Sequence, residues 1–348
     1  MTASSSATRS ATRSLAASTG RALLIILLLI FALFALLFTF VWFRSLDLAA
    51  NTAPPAAQPT YTEAVAALDA LAASEGEGLH PACHTQVLTH GDRTAHAVVL
   101  FHGLGTCPQQ FAALAQQIYD SGANVVMARL PYHGLADRLT DLPAQTTAEE
   151  SLRAAGQMVD LAHGLGDAVT VVGFSSGGSM AAWLAQHRAD IARAVIISPM
   201  FAVQAFPADV TRALSSAVRL LPNWWGWFNE ELKENVEGPA YTYPRYSSRA
   251  LAEYLRVGQA VVEQAAATAP AVADIRVVSN LNDESVRPEL TRAVAEAWQA
   301  HGADIYLYEF PADAGLKHDM IDPGQPYQKV DTVYPIVLAA ITADAPAP

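Results

Sequence analysis

The chain has 348 residues, 52% of them hydrophobic and 16% charged, with a formal net charge of −12. Its first 44 residues carry four arginines and no acid, which leaves −16 on the remainder. An acidic body of this kind argues against nucleic acid or an anionic lipid surface as a partner, and a solvated acidic face that aids solubility is the simpler reading.

Residues 1–21 are rich in Ser, Thr and Ala and read as a disordered cytoplasmic tail. Ala22 to Phe43 contains neither charge nor proline. As a helix it would be roughly 33 Å long, enough to cross a bilayer core. Arg9, Arg13 and Arg21 precede it with no acid before Asp47, so the positive-inside bias keeps the N-terminus cytoplasmic and sends the rest across. A transmembrane signal-anchor is therefore expected over 22–43, making this a single-pass membrane protein with its folded part on the extracytoplasmic side. The alternative is secretion after signal cleavage, which calls for a shorter apolar core and an A-x-A-like site that Ser45-Leu46-Asp47-Leu48 does not supply.

Residues 44–59, with Pro54, Pro55 and Pro59, read as a linker. The folded domain is expected over 60–348. Thr60 and Glu63 have capping-box spacing, and Val65, Leu68 and Leu71 line one face of the helix that follows. Gln86 to Thr89 and Ala97 to Phe101 read as strands, the second running into His102-Gly103-Leu104-Gly105. Phe111, Leu114 and Ile118 mark a helix. Then strands (124–129, 169–173, 194–197) alternate with helices (147–163, 180–187), the pattern of a parallel sheet covered by helices on both faces.

The alternation pauses over about 199–270, an interval with a helical pattern (Val210, Leu214, Val218), the cluster Trp224-Trp225-Gly226-Trp227-Phe228, and a second helical stretch from Ser248 to Ala266. An insertion of this size after a strand is a natural cap. Its aromatic rings suit an acyl pocket, a membrane headgroup region, or plain packing of the cap onto its core. The sheet resumes at 275–279 and 305–310, with helices at 288–300 and 330–342.

Cys83 and Cys107 are the only cysteines. In an oxidising compartment they could form a disulfide worth about 3 kcal/mol in the chain-entropy model, and neither has metal-site spacing.

Val169-Thr170-Val171-Val172-Gly173-Phe174-Ser175-Ser176-Gly177 places Gly-x-Ser-x-Gly between a β-branched run and a helix. That is the context of a nucleophile elbow, with Ser175 as the candidate nucleophile and Gly173 and Gly177 relieving crowding in the bend. A serine hydroxyl needs an imidazole base and an acid to orient it. His318 lies in the loop after the last strand, where the base belongs. Asp283 follows the strand 275–279, with Glu284 as rival and a dipole-stabilised helix acid as the plainer reading. The backbone N–H groups of Leu104 and Ser176 are the candidate oxyanion donors.

The order Ser175, Asp283, His318 is that of α/β-hydrolases. With Leu100-Phe101-His102-Gly103, Arg129-Leu130-Pro131-Tyr132-His133-Gly134, Asp283-x-x-Val286 and His318-Asp319, the chain from about Gln86 resembles bacterial serine esterases of the carboxylesterase and monoacylglycerol-lipase type. The resemblance implies an α/β-hydrolase fold, mostly parallel, with a helical cap. It also implies hydrolysis of a small-molecule carboxylic ester through an acyl-enzyme, with no metal or organic cofactor. Tyr132 stands where the pattern commonly has glycine. Acyl transfer to an alcohol through the same triad, and a non-catalytic binding protein of the same fold, are the other readings. The oligomeric state is not written in the sequence.

Overall fold

The computed structural model describes residues 21–36, 39, 48, 54 and 57–343. The chain divides into two compact units, Met1–Ser45 and Leu46–Pro348. In the first, residues 21–36 form a helix (α1) whose side chains are all exposed. Of the span expected at 22–43, residues 37–38 and 40–43 lie outside the described residues, as do residues 1–20 of the expected tail and most of the linker. Among the described residues no helix is long and apolar enough to cross a membrane.

The second unit opens with α2 (Tyr61–Ser74). Its expected capping box is formed: the Glu63 carboxylate accepts from the Thr60 N–H at 2.8 Å, and the Thr60 hydroxyl accepts from the Glu63 N–H. Then come β1 (Gln86–Leu88), β2 (Thr94–Phe101), α3 (Ala112–Asp120), β3 (Asn124–Ala128), α4 (Ala148–Leu165), β4 (Gly166–Phe174), α5 (Ser176–His187) and β5 (Arg193–Ile197). The insertion carries α6 (Ala208–Val218), β6 (Trp225–Trp227) and β7 (Arg245–Ser247) and leads into α7 (Ser248–Ala267). The chain closes with β8 (Asp274–Asn280), α8 (Pro288–Ala300), β9 (Asp304–Phe310) and α9 (Val330–Thr342).

Seven strands form one sheet in the order β1-β3-β2-β4-β5-β8-β9, parallel except for β1, which runs antiparallel to β3. Side chains of β2 alternate between two cores: Ala97, Val99 and Phe101 pack with α2, α4, α5 and α7, while Val98 and Leu100 pack with α3 and α9. That double burial explains why the strand reads as a continuous apolar run. Every parallel strand delivers its C-terminal end to the same edge, and there the site assembles.

Three elements differ from the sequence reading. Helix α5 starts at Ser176 rather than Met180, because Ser175 C=O already accepts from the Ser179 N–H at 3.0 Å despite the poor helix propensity of Gly177 and Gly178. The tryptophan cluster contributes a strand, β6, paired antiparallel with β7 through Trp225↔Ser247 and Trp227↔Arg245. That pairing spans about twenty residues and leaves no local signature. Helix α7 is a core element rather than part of a cap: Tyr254, Val257, Val261 and Ala265 are buried in the main cluster.

Candidate active site

Ser175 sits on the turn between β4 and α5 with φ 56° and ψ −115°, a conformation that L-residues seldom adopt. Neighbouring backbone holds it there: its N–H donates to Ile197 C=O at 3.0 Å, and its C=O accepts from the Met200 N–H at 3.0 Å. A Cβ at Gly173 would run into the Gly177 carbonyl, and one at Gly177 into the Phe101 carbonyl, so both elbow positions require glycine.

His318 arrives on the loop after β9. Its Nε2 lies 2.9 Å from Ser175 Oγ, and its Nδ1 lies 2.7 Å from Asp283 Oδ2. Asp283 occupies the turn after β8, where its Oδ1 accepts from the Ser285 and Val286 N–H groups at 2.9 and 3.0 Å. Glu284, the rival acid, instead pairs with Lys317 at 2.9 Å. The structure therefore brings Ser175, His318 and Asp283 into one hydrogen-bonded line.

The electrostatics follow from this geometry. Burial would raise the Asp283 carboxyl, but the His318 charge and hydrogen bond, with the two backbone N–H groups, outweigh it and hold the pKa below the usual value. Burial would lower His318, yet the charge and hydrogen bond of Asp283, aided by the charge of Asp319, carry it above the ordinary histidine value. Burial pushes Asp319 up, against the Gln325 hydrogen bond, the charge of His318, and further hydrogen bonds from Gln110 and the Asp322 backbone.

Several positioning groups were not singled out from the sequence. Asn280 and Asn282 each donate a side-chain N–H to Leu316 C=O, at 3.2 and 3.1 Å, and so fix the His318 loop to the end of β8. The Phe174 ring lies 5.0 Å from that of His318. The buried Gln110 accepts from the Gly103 N–H at 2.9 Å. His102 is buried; its Nε2 accepts from the Leu130 N–H at 3.2 Å, which leaves Nδ1–H to donate to Gly103 C=O at 2.9 Å. Burial, with His133 nearby, keeps its pKa well below the ordinary value, in keeping with this neutral tautomer. The one usable signal was that His102 and Gln110 flank the Gly103-Leu104-Gly105 turn.

Leu104 lines the same cavity as Ser175 and His318, of about 620 Å³. Ser176 opens α5 and is fully buried. Its N–H belongs to a first helical turn, whose donors have no intrahelical acceptor. Cys83 and Cys107 are bonded, with Cα atoms 5.4 Å apart. Cys107 immediately precedes the short 3-10 turn Pro108–Phe111, so the bridge ties the segment ahead of β1 to the loop that carries Leu104.

Tyr132 has φ 63°, in the left-handed region where glycine is free and a ring-bearing residue is strained by roughly 1 kcal/mol. Its hydroxyl reaches Glu150 at 3.4 Å. The tryptophan cluster is divided: Trp227 and Phe228 line the cavity, Trp225 lies under the Arg245 guanidinium at 4.0 Å, and Trp224 is exposed. Among the described residues no group of three or more His, Cys, Asp or Glu side chains is placed to hold a metal ion.

Residues 96–266 match the family described as alpha/beta hydrolase fold. The chain has the alpha/beta hydrolase fold. Among solved structures, one from the metagenome-derived lipolytic enzymes LipS and LipT superposes with TM-score 0.55 at 18% identity, covering 75% of this chain and 98% of that one. The monoacylglycerol lipase of Paleococcus ferrophilus gives 0.54 at 19%, covering 74% and 99%. A soluble variant of the monoglyceride lipase of Saccharomyces cerevisiae, in complex with a substrate analogue, gives 0.55 at 13%, covering 75% and 92%. No curated protein matches the chain in sequence. At these identities the likeness concerns the fold, and the function of this alpha/beta-hydrolase-fold chain has to be read from its own residues.

Proposed function

We propose that the protein is a serine hydrolase of carboxylic esters working through an acyl-enzyme. The observation that carries this reading is the line Asp283–His318–Ser175 at 2.7 and 2.9 Å, on a serine held at φ 56° above the sheet edge. His318 Nε2 takes the proton from Ser175 Oγ as that oxygen attacks the ester carbonyl, and Asp283 orients the imidazole and stabilises its cation. The Leu104 and Ser176 N–H groups would receive the oxyanion, a contribution of a few kcal/mol to the fall in barrier. His318 then gives its proton to the departing alcohol, and water, activated by the same imidazole, releases the acid.

Three supports from outside the triad fit this assignment. Both glycines of the elbow are sterically required. His102 and Gln110 fix the two faces of the Gly103 peptide, so the candidate oxyanion loop is preorganised. Two of the structures that share the fold are described as a lipolytic enzyme and a monoacylglycerol lipase. In our reading residues 22–43 anchor the protein in a membrane with the hydrolase unit outside the cytoplasm, which rests on the apolar sequence and the arginines before it.

The test is hydrolysis of p-nitrophenyl esters of graded chain length by the full chain in detergent micelles, beside Ser175→Ala and His318→Ala. Hydrolysis by the wild type that collapses in both variants is the expected result. A wild type inert to every ester overturns the reading and leaves acyl transfer or a binding role. Extraction of the membrane fraction with alkaline carbonate tests the anchor: release of the protein into the supernatant contradicts it.

A further inference from the structure

The Gly103-Leu104-Gly105 turn and the His318 loop come from distant parts of the sequence, yet the acyl-enzyme reading needs both at fixed positions about Ser175. The turn is held at two successive peptides. His102 Nδ1–H donates to Gly103 C=O at 2.9 Å, and because the Leu104 N–H lies trans to that carbonyl, its direction is set as well. The peptide before it is held by Gln110, whose Oε1 accepts from the Gly103 N–H at 2.9 Å. Gln110 belongs to the 3-10 turn Pro108–Phe111, its own N–H bonded to Cys107 C=O at 3.0 Å, and Cys107 is tied to Cys83 by the disulfide. The anchor of the turn therefore stands on a cross-linked segment.

The bond to Gly103 uses only half of the Gln110 amide. A backbone N–H can only donate, so Oε1 must face Gly103, and the Nε2 donors are left for another partner. That partner is the carboxylate of Asp319, the residue directly after His318. Asp319 Oδ2 also accepts from Gln325 Nε2 at 2.9 Å, and the Asp322 N–H adds a backbone donor. The Gln110 contact is the looser of the two side-chain contacts, since no donor stands at close range of Oδ1. Gln110 is 1% exposed, so bulk water does not compete for its amide. One planar group thus accepts from the turn and donates to the base loop. A carboxylate at this position could serve Gly103 but not Asp319, and an ammonium could serve Asp319 but not Gly103.

We infer that Gln110 is a positioning residue that joins the oxyanion turn to the base loop through Asp319, so that the Leu104 N–H and the His318 imidazole keep one spacing about Ser175. The inference rests on the serine-esterase reading and adds to it a residue that touches no reacting atom. Its influence should fall on the transition state, where the oxyanion and the imidazolium are present together, more than on ground-state binding. Misplacing such groups by about 1 Å can cost about a hundredfold in rate.

The test exchanges the two roles. Gln110→Glu still accepts from Gly103 but sets a carboxylate against Asp319, and Asp319→Asn sets an amide donor against the Gln110 donors. The double variant Gln110→Glu/Asp319→Asn rebuilds the join with donor and acceptor reversed. It also keeps one carboxylate close to His318, whose imidazole feels the Asp319 charge. Values of kcat and KM are measured for the full chain in detergent micelles, with the p-nitrophenyl ester that the wild type hydrolyses best. Each single variant should lose about tenfold in kcat with KM within about twofold of the wild type, and the double variant should recover a kcat above both. Merely structural damage would accumulate in the double variant instead of being repaired. A double variant no better than the better single one, or single variants with the wild-type kcat, overturns the inference. If an exchanged variant does not fold, Gln110→Met decides: it keeps a side chain of similar length without the amide and should lose about tenfold in kcat. An unchanged kcat, or a loss confined to KM, overturns the inference there. A wild type inert to every ester removes the esterase reading instead, a different failure that is visible in the same assay.

Discussion

The sheet edge and the cap face each other across one cavity and are built on different terms. At the sheet edge the candidate catalytic groups are each held by hydrogen bonds from or to neighbouring backbone. Ser175 is held by Ile197 and Met200, Asp283 by the Ser285 and Val286 N–H groups, and the His318 loop by Asn280 and Asn282. The cap is held instead by ties between distant segments: the short β6–β7 pair, Arg245 over Trp225, Tyr241 on Asp322, the Tyr243 N–H on Gly105 C=O and the Arg138 guanidinium on Thr242 C=O. It also leaves Phe206, Leu220, Leu221, Trp224 and Phe228 exposed. On the proposed reading, the difference teaches that the reaction rests on groups fixed by short-range backbone contacts at the edge, while the shape of the facing wall depends on contacts between distant segments.

Changes on the two sides should therefore fall on different quantities. The largest effect is expected from Ser175→Ala, a loss of kcat of about 10⁴-fold or more, with the ester assay as readout; His318→Ala should cost about as much, and the double variant little beyond either alone. Asp283→Asn should lose about 10³- to 10⁴-fold in kcat, because the imidazole is left with the wrong tautomer while the site keeps its shape. Equal losses in kcat from Phe228→Ala on the cap would break the comparison.

Opening the Cys83–Cys107 bridge by a double serine substitution should lower stability by about 3 kcal/mol, read as a fall in the denaturant midpoint. A pH profile sharpens the same contrast. His318 is raised above the ordinary histidine value and works only when neutral, so kcat/KM should climb with pH through a midpoint above about 6.5. Asp283, held low, stays charged across that range. A midpoint well below the ordinary value would contradict the pairing. The smallest effect is expected of Trp225→Ala, which removes the Arg245 contact at 4.0 Å and should cost about 0.5–1 kcal/mol of stability with kcat nearly unchanged.

The same contrast explains what the sequence could disclose. That Ser175, its two glycines, Asp283 and His318 meet at one edge was legible because the elbow imposes a local pattern and because parallel strands must deliver their C-terminal ends there. The alternation of strands and helices was legible for a similar reason, since doubly buried strands such as 97–101 are continuous apolar runs. What stayed hidden depends on contacts between distant segments. The β6–β7 pair joins residues on either side of a long turn, Asn280 and Asn282 reach the Leu316 carbonyl more than thirty positions away, and Gln110 bonds the Gly103 peptide across a turn. Tyr132 showed the limit in a different way. The departure from glycine was visible, but only the backbone reveals that the tyrosine is forced to φ 63°.

The central claim is that Ser175 is an activated nucleophile, and covalent labelling of the full chain by an alkyl fluorophosphonate tests it most directly. The account predicts one phosphonyl group per chain, found by peptide mass analysis on the segment containing Ser175, with label absent from Ser175→Ala and from wild type unfolded before treatment. Absence of label on the folded wild type, or label that persists in Ser175→Ala, would contradict it.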